Sequence, residues 1–342
     1  MGSSAPSSFL RGIFGRDSSC RPPGTDNDGG CYQGTGVTLL AGAGFDTMMV
    51  DPFPQFIDAM SAQGLRSIVW MGGWDKTGCR FYMDDATFAA TVDAFVRDPA
   101  GAAGHVAAYY LADEPWLSKC PQAPEAFAAR TRVLHQHDPA GKAFVLVQAY
   151  ENGLFGATYY ARWMGAADLI GFDLYPCHFA NGSSVGIEPG QKVRQACDFG
   201  GVTDRDIGYI ESDHFGDGSR TCSYPSLGGS GPCTAYLAVL QDFQDCYYEL
   251  PRPADLRAQA QHWTTLARHL SGVLVFSSDF YGNPCQPSSG PVSMGVRIDD
   301  CRPAPSAPGT GADCSGNLAE LRYDNCTYFH LSCAGIPAAT RP

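Results

Sequence analysis

The sequence predicts an α/β fold, a (β/α)8 TIM barrel, and three observations carry that prediction. Short apolar runs rich in Val, Ile, Phe and Tyr recur eight times, most of them followed by a stretch with helical periodicity. The chain has 342 residues, 44% of them hydrophobic, a length that barrels use for a single domain. No Gly-x-Gly-x-x-Gly turn follows the first run, so an open nucleotide-binding sheet has no support.

In chain order the predicted strands are Gly12 to Gly15, Thr47 to Val50, Ser67 to Met71, Val106 to Leu111, Phe144 to Ala149, Leu169 to Leu174, Tyr236 to Leu240 and Gly272 to Ser277. Helical spacing predicts helices over Phe53 to Gln63, Asp85 to Val96, Glu125 to His137 and Ala254 to Leu270, the last opened by Pro253 in a favourable first-turn position. Ile207 to Ile210 is also strand-like and ends in Glu211. Tyr236 to Leu240 is preferred as the seventh strand because the Pro253 helix leads from it to the eighth, as a βαβ unit requires. Glu211 then falls on an excursion that reaches the mouth.

Two regions exceed a minimal barrel. Gly200 to Cys233 is rich in Gly, Ser, Asp and Tyr and reads as a long loop over the site, before strand seven. From Asn283 onward the chain is rich in Pro and Gly and holds five of the 14 cysteines, which predicts a disulfide-rich C-terminal extension packed on the barrel. The expected division is 1–282 for the barrel and 283–342 for the extension.

Composition narrows the partners. Lys and Arg number 23 against 35 Asp and Glu, a formal charge of -12 that repels nucleic acid and anionic membranes, so a neutral partner such as carbohydrate is expected. The longest apolar runs, such as Ile68 to Met71 and Val273 to Phe276, are far short of the roughly 20 residues of a membrane span. The 14 cysteines are even in number and scattered, a disulfide pattern of an oxidising compartment, so a secreted protein is expected. The start, MGSSAPSSFL, lacks signal-peptide character, as a mature chain would. Sequons stand at Asn181 and Asn325. A monomer is expected.

Barrel enzymes place reactive groups at the C-terminal ends of their strands. Those ends carry Asp51 after the second strand, Trp74 after the third, Asp113, Glu114 and Trp116 after the fourth, Gln148 and Glu151 after the fifth, Asp173 and Tyr175 at the sixth, Gln241 and Asp242 at the seventh, and Ser278 and Asp279 at the eighth. Paired carboxyls at a barrel mouth point to acid/base chemistry, and aromatic faces there suit pyranose C–H surfaces. Trp74 and Trp116 are the expected platforms, with Trp70, Trp163 and Trp263 assigned to packing. No His-Glu-x-x-His, Gly-x-Ser-x-Gly, phosphate loop or calcium loop is present, and His135 and His137, two apart on a helix, face different directions. No metal or cofactor is implied.

The fourth run, YYLADEPW, resembles the glycoside hydrolases of the large barrel clan whose fourth strand ends in Asn-Glu-Pro. The resemblance implies that Glu114 is the acid/base and that Asp113, standing where the clan carries asparagine, contacts a sugar hydroxyl. The clan draws its nucleophile from a glutamate ending the seventh strand, where this chain has Gln241. Asp173, Glu211 and Glu151 are the substitutes, Glu151 with the least support. The segment from Leu240 through Trp263 into GVLVFSSDFY also resembles the last βαβ portion of glycosidase-like barrel proteins of secreting microbes. A carbohydrate-binding barrel without hydrolysis is the alternative, suggested by Gln241. Asp51, Trp74, Asp113, Trp116, Gln148, Tyr175, Gln241 and Asp279 are the expected substrate contacts.

Overall fold

The computed structural model describes residues 9–14, 41–148, 156–180, 195–212, 215–216, 220–242, 248–249, 251–276, 320–321, 323–325 and 327–329. Eight parallel strands close into a barrel in sequential order: β1 (Leu10–Phe14), β2 (Thr47–Val50), β3 (Arg66–Trp70), β4 (Val106–Asp113), β5 (Ala143–Gln148), β6 (Leu169–Asp173), β7 (Ala235–Gln241) and β8 (Leu270–Phe276). Each strand begins within two residues of its predicted run. Closure is made by β1 and β8, with Leu10 opposite Gly272 and Phe14 opposite Phe276. Strands covered on both faces read as near-continuous apolar runs, which is why they stand out in the sequence.

Helices wrap the barrel between strands: α1 (Pro54–Ser61), α2 (Asp85–Val96), α3 (Ala123–His137), α4 (Ala157–Ala161), α5 (Arg205–Ser212) and α6 (Pro253–Leu266). Asp84 caps α2 by accepting from the Thr87 backbone N–H at 2.7 Å, and Pro253 opens α6 as expected. The predicted extension of α6 to Leu270 fails because Leu270 already belongs to β8, opposite Tyr236. Two apolar layers result. Outward-facing Ile13, Val69, Tyr109, Val145, Ile170 and Tyr236 pack with Trp163, in the turn after α4, and Trp263 of α6, both fully buried as expected. Inward-facing Leu10, Phe14, Ile68, Tyr110, Phe144, Leu146, Leu169, Leu237, Val239 and Leu274 fill the lumen. Gly171 lies between Leu169 and Asp173, and an added Cβ would come within 2.9 Å of the Phe144 ring, so the glycine makes room for that aromatic.

The region between β6 and β7 departs from expectation. Rather than lying as a loop over the mouth, it forms the helical turn Phe199–Asp204, then α5, then a ribbon of Thr221–Ser223 and Ser230–Pro232 closed by the Cys222–Cys233 disulfide. A helix after a parallel strand runs back toward the strands' starts, so this ribbon sits at the N-terminal end, where Thr234 accepts from the Gly165 N–H at 2.8 Å. Ile207 to Ile210 is thereby helix, its apolar residues facing the barrel at helical spacing.

The boundary at 282–283 lies outside the described residues. The described residues between 320 and 329 pack on the barrel wall: Glu320 takes a two-pronged ion pair from Arg257 of α6, Phe329 stacks on Phe9 at 6.0 Å, and Arg11 donates to the Phe329 carbonyl. Asn325 is buried with its Nδ2 donating to the Ala43 carbonyl at 2.9 Å, which removes it as a glycosylation acceptor; Asn181 lies outside the described residues. Among the described residues no helix is long and apolar enough to cross a membrane.

Candidate active site

The C-terminal ends of β4, β5 and β6 bring Glu114, Gln148 and Asp173 together. At the end of β4 the register shifts between Tyr110 and Ala112, and Glu114 adopts a left-handed backbone with φ of 45°. Left-handed geometry is costly for a residue with a Cβ, and it persists where surrounding structure enforces it. Here the Glu114 N–H is tied to the Leu146 carbonyl at 3.0 Å and Pro115 follows. The side chain is thereby turned toward its neighbours: Gln148 Nε2 donates to Glu114 Oε2 at 2.7 Å, and Lys76 Nζ stands 3.4 Å from the same oxygen.

Asp173 lies within hydrogen-bonding reach of Glu114 and is 4% exposed. Burial first, then the Glu114 charge and the bond shared with it, raise the Asp173 carboxyl well above the ordinary carboxylate range. Its Oδ1 has no partner among the described residues. The shift favours the protonated form of Asp173, so the pair keeps a proton to higher pH than an ordinary carboxyl would. Asp113 is open to solvent along one edge but crowded by protein on the other, and that crowding, with the charge of Glu114, pushes it up to about 6; Tyr110 Oη donates to it at 2.8 Å.

An aromatic floor explains the desolvation. Tyr110 sits 4.9 Å from both Trp70 and Phe144 and 5.5 Å from Phe14, while Tyr175 stacks on Phe276 at 6.3 Å and meets Tyr248 edge-on at 5.3 Å. Burial and the nearby carboxylates hold the Tyr110 and Tyr175 phenols protonated, so both are donors across the neutral range.

The two mouth tryptophans exchange the roles expected of them. Trp74 is 4% exposed and packed between Phe81 at 4.9 Å and Phe127 at 5.2 Å, outside the lumen. It is core. Trp70, expected as packing, faces inward beside Tyr110 and is only half-buried, its ring lying over Gly73, where a Cβ would come within 2.8 Å of it. Trp116 keeps its place at the mouth, with Lys119 Nζ 4.4 Å and Lys76 Nζ 5.2 Å from the ring centroid.

Lys76 went unseen in the sequence. It lies in a turn between the short strands Trp74–Asp75 and Arg80–Phe81, and the Cys79–Cys120 disulfide ties that turn to the loop following β4. A disulfide pairing read in advance would have been the one signal for it, because it joins residues 41 apart in sequence.

Gln241 is present at the end of β7 but is already fully used. Its Nε2 donates to the Cys177 and Glu249 carbonyls, both at 2.8 Å, and its Oε1 accepts from the Cys177 N–H at 3.0 Å. Its backbone is paired with the Gln259 amide, so it pins the loop after β6, closed by Cys177–Cys197, and its buried side chain presents no free polar atom to the mouth. Glu211 is corrected as well. At the C-terminal turn of α5 it accepts from the Tyr236 hydroxyl and from the His269 backbone at 3.2 Å, with His269 Nδ1 at 2.9 Å, beside the starts of β7 and β8. That is the end of the barrel opposite Glu114. Asp51 follows β2 on the face that Met49 turns to the lumen. Asp279, Glu151 and Ser278 lie outside the described residues. Asp242 is buried, its N–H on the Phe276 carbonyl at 2.6 Å.

No protein-family model and no curated protein matches the chain. Among solved structures the fold is similar to a GH2 β-galacturonidase from Eisenbergiella tayi, with TM-score 0.56 and 12% identity over 92% of this chain and 51% of that one. It is also similar to a glucosidase from Croceicoccus marinus, with TM-score 0.52 and 13% identity over 94% of this chain and 68% of that one. The chain spans about half the length of the galacturonidase, and at these identities the likeness is one of fold: a barrel of the kind found in glycosidases.

Proposed function

We propose that this chain is a secreted glycoside hydrolase that cleaves a poly- or oligosaccharide by carboxylate general acid/base chemistry. The observation that carries the reading is the Glu114–Asp173 pair: one carboxyl on a strained backbone at the mouth, the other buried beneath it and shifted toward its protonated form. In this reading the pair carries one proton: Asp173 holds it below, and it passes through Glu114, which touches the substrate, to the leaving glycosidic oxygen. The two carboxyls are closer than the roughly 5 Å of a nucleophile pair or the 6.5–9.5 Å of an acid and a water-activating base, so they act together on one side of the bond. The base on the other side is assigned to Asp51, at the end of β2, the strand across the barrel from β6. It takes a proton from water as the oxygen bonds to the anomeric carbon and the bond to the leaving group breaks. Asp113 accepts a sugar hydroxyl, while Trp70, Trp116 and Tyr175 present faces to the ring. The three disulfides among the described residues support an oxidising compartment.

A carbohydrate-binding barrel is the second reading, favoured by Gln241 in place of a carboxylate at the end of β7. Release of reducing ends from a panel of neutral polysaccharides and aryl glycosides separates the two. Glu114→Gln keeps shape and removes the donor, and the expected loss of rate is about 10²–10⁴-fold. Glycan binding by both proteins with no cleavage by either would establish the binding barrel instead.

A further inference from the structure

The N-terminal end of the barrel, opposite the mouth, holds a cavity of about 340 Å³, within the size of small-molecule sites. Its floor is apolar, built on Leu10, Leu169 and Leu237, the inward residues at the starts of β1, β6 and β7. Its rim is cationic. Arg66, Lys142, Arg268 and His269 line it, and among the described residues no Asp or Glu does. Arg66 is shared with Asp46 at 3.3 Å and His269 is held by Glu211, but the Lys142 and Arg268 side chains have no partner among the described residues. In a chain of formal charge -12, Lys142 and Arg268, with Arg66 beside them, set positive charge around one concave, low-dielectric floor.

We propose that this cavity binds a small amphiphilic anion, a carboxylate carried on a hydrocarbon body, with the carboxylate at Lys142 and Arg268 and the hydrocarbon on the leucine floor. The arrangement calls for both parts. A bare inorganic anion would leave the apolar floor wet, and a neutral hydrocarbon would leave the cations unmatched.

Calorimetric titration of the full chain with octanoate, octanamide and inorganic phosphate tests it. Octanoate is expected to bind below millimolar concentration, and octanamide and phosphate at least about tenfold more weakly. The K142Q/R268Q variant, altered only at exposed side chains, is expected to lose about tenfold for octanoate, whereas Glu114→Gln binds it as the unaltered chain does. The affinity of the unaltered chain should also fall as salt rises from 0.02 to about 0.5 M, a readout independent of any variant's folding. No octanoate binding at millimolar concentration, equal binding by K142Q/R268Q, phosphate as tight as octanoate, or salt-independent affinity would each overturn the proposal. None of these readouts depends on glycoside hydrolysis.

Discussion

The two ends of the barrel treat a carboxylate in opposite ways. At the N-terminal end Glu211 is matched on both oxygens, by the Tyr236 hydroxyl and by His269, and Asp46 is matched by Arg11 at 2.7 Å and Arg66 at 3.3 Å. At the mouth Asp173 is buried with one oxygen unpartnered, Asp113 is crowded upward, and Glu114 sits on a left-handed backbone. The first arrangement stabilises the fold, and the second costs stability and concentrates proton-transfer capacity in one place. Conflict of this kind gathers where a protein acts, and consistency where it only has to fold.

Asp173→Asn breaks the contrast most sharply. Reducing-end release is expected to fall on the order of 10²-fold, because Glu114 loses its proton source. Stability should move the other way. Folded Asp173 keeps its proton at pH values where the unfolded chain, with an aspartate near 3.9, has released it, so the native state binds more protons and stability falls as pH rises above about 4. Asparagine removes that slope, and at pH 7 its melting temperature should rise by about 2–4 °C, the gain vanishing below pH 4. A variant that is less stable at pH 7 and fully active would refute the assignment.

The next largest effect separates the two tryptophans. Trp74→Ala should cost about 3–5 kcal/mol in denaturant unfolding, since it empties a fully packed site between Phe81 and Phe127. Trp70→Ala should cost less than half of that but raise KM several-fold. Equal stability losses would place both rings in the core. Smaller again is Glu211→Gln, which keeps shape but leaves His269 and Tyr236 with a poorer acceptor. It is expected to cost about 1–3 kcal/mol with kcat/KM unchanged. A selective loss of activity there would return Glu211 to the chemistry.

The strands were legible because doubly covered strands carry long apolar runs, and Glu114 was legible because β4 leads straight into it. Asp173 followed from its place at the end of β6. The tryptophan exchange was readable in principle: Ile68 and Trp70 alternate onto the same inward face, whereas Trp74 lies past Gly72 and Gly73, where strand alternation no longer holds. Glu211 was misplaced because an amphipathic turn of helix and a short strand share the same apolar residues, Ile207 and Ile210, at a spacing that fits helix better. Gln241 and Lys76 depend on partners distant in sequence, the backbone at Cys177 and the disulfide at Cys120, which no local pattern records.

Among the described residues Lys76 is the cation paired with a mouth carboxyl, and it supplies the smallest test. Its charge opposes the upward push on Asp113, so removing it should let the carboxyl cluster keep its proton to higher pH. Lys76→Met retains the apolar stem over Trp116 while deleting the ammonium. The alkaline limb of kcat/KM is therefore expected to move upward by a few tenths of a pH unit, since the ammonium is partly exposed and screened. Raising ionic strength screens the Glu114 charge on Asp113 as well as Lys76, and the first is the larger, so salt should move the limb downward in the unaltered chain and further downward in the variant, where no ammonium offsets it. If salt shifts both proteins equally, the limb reports the charge of the whole chain, and the mouth no longer differs from the other end in how it handles its protons.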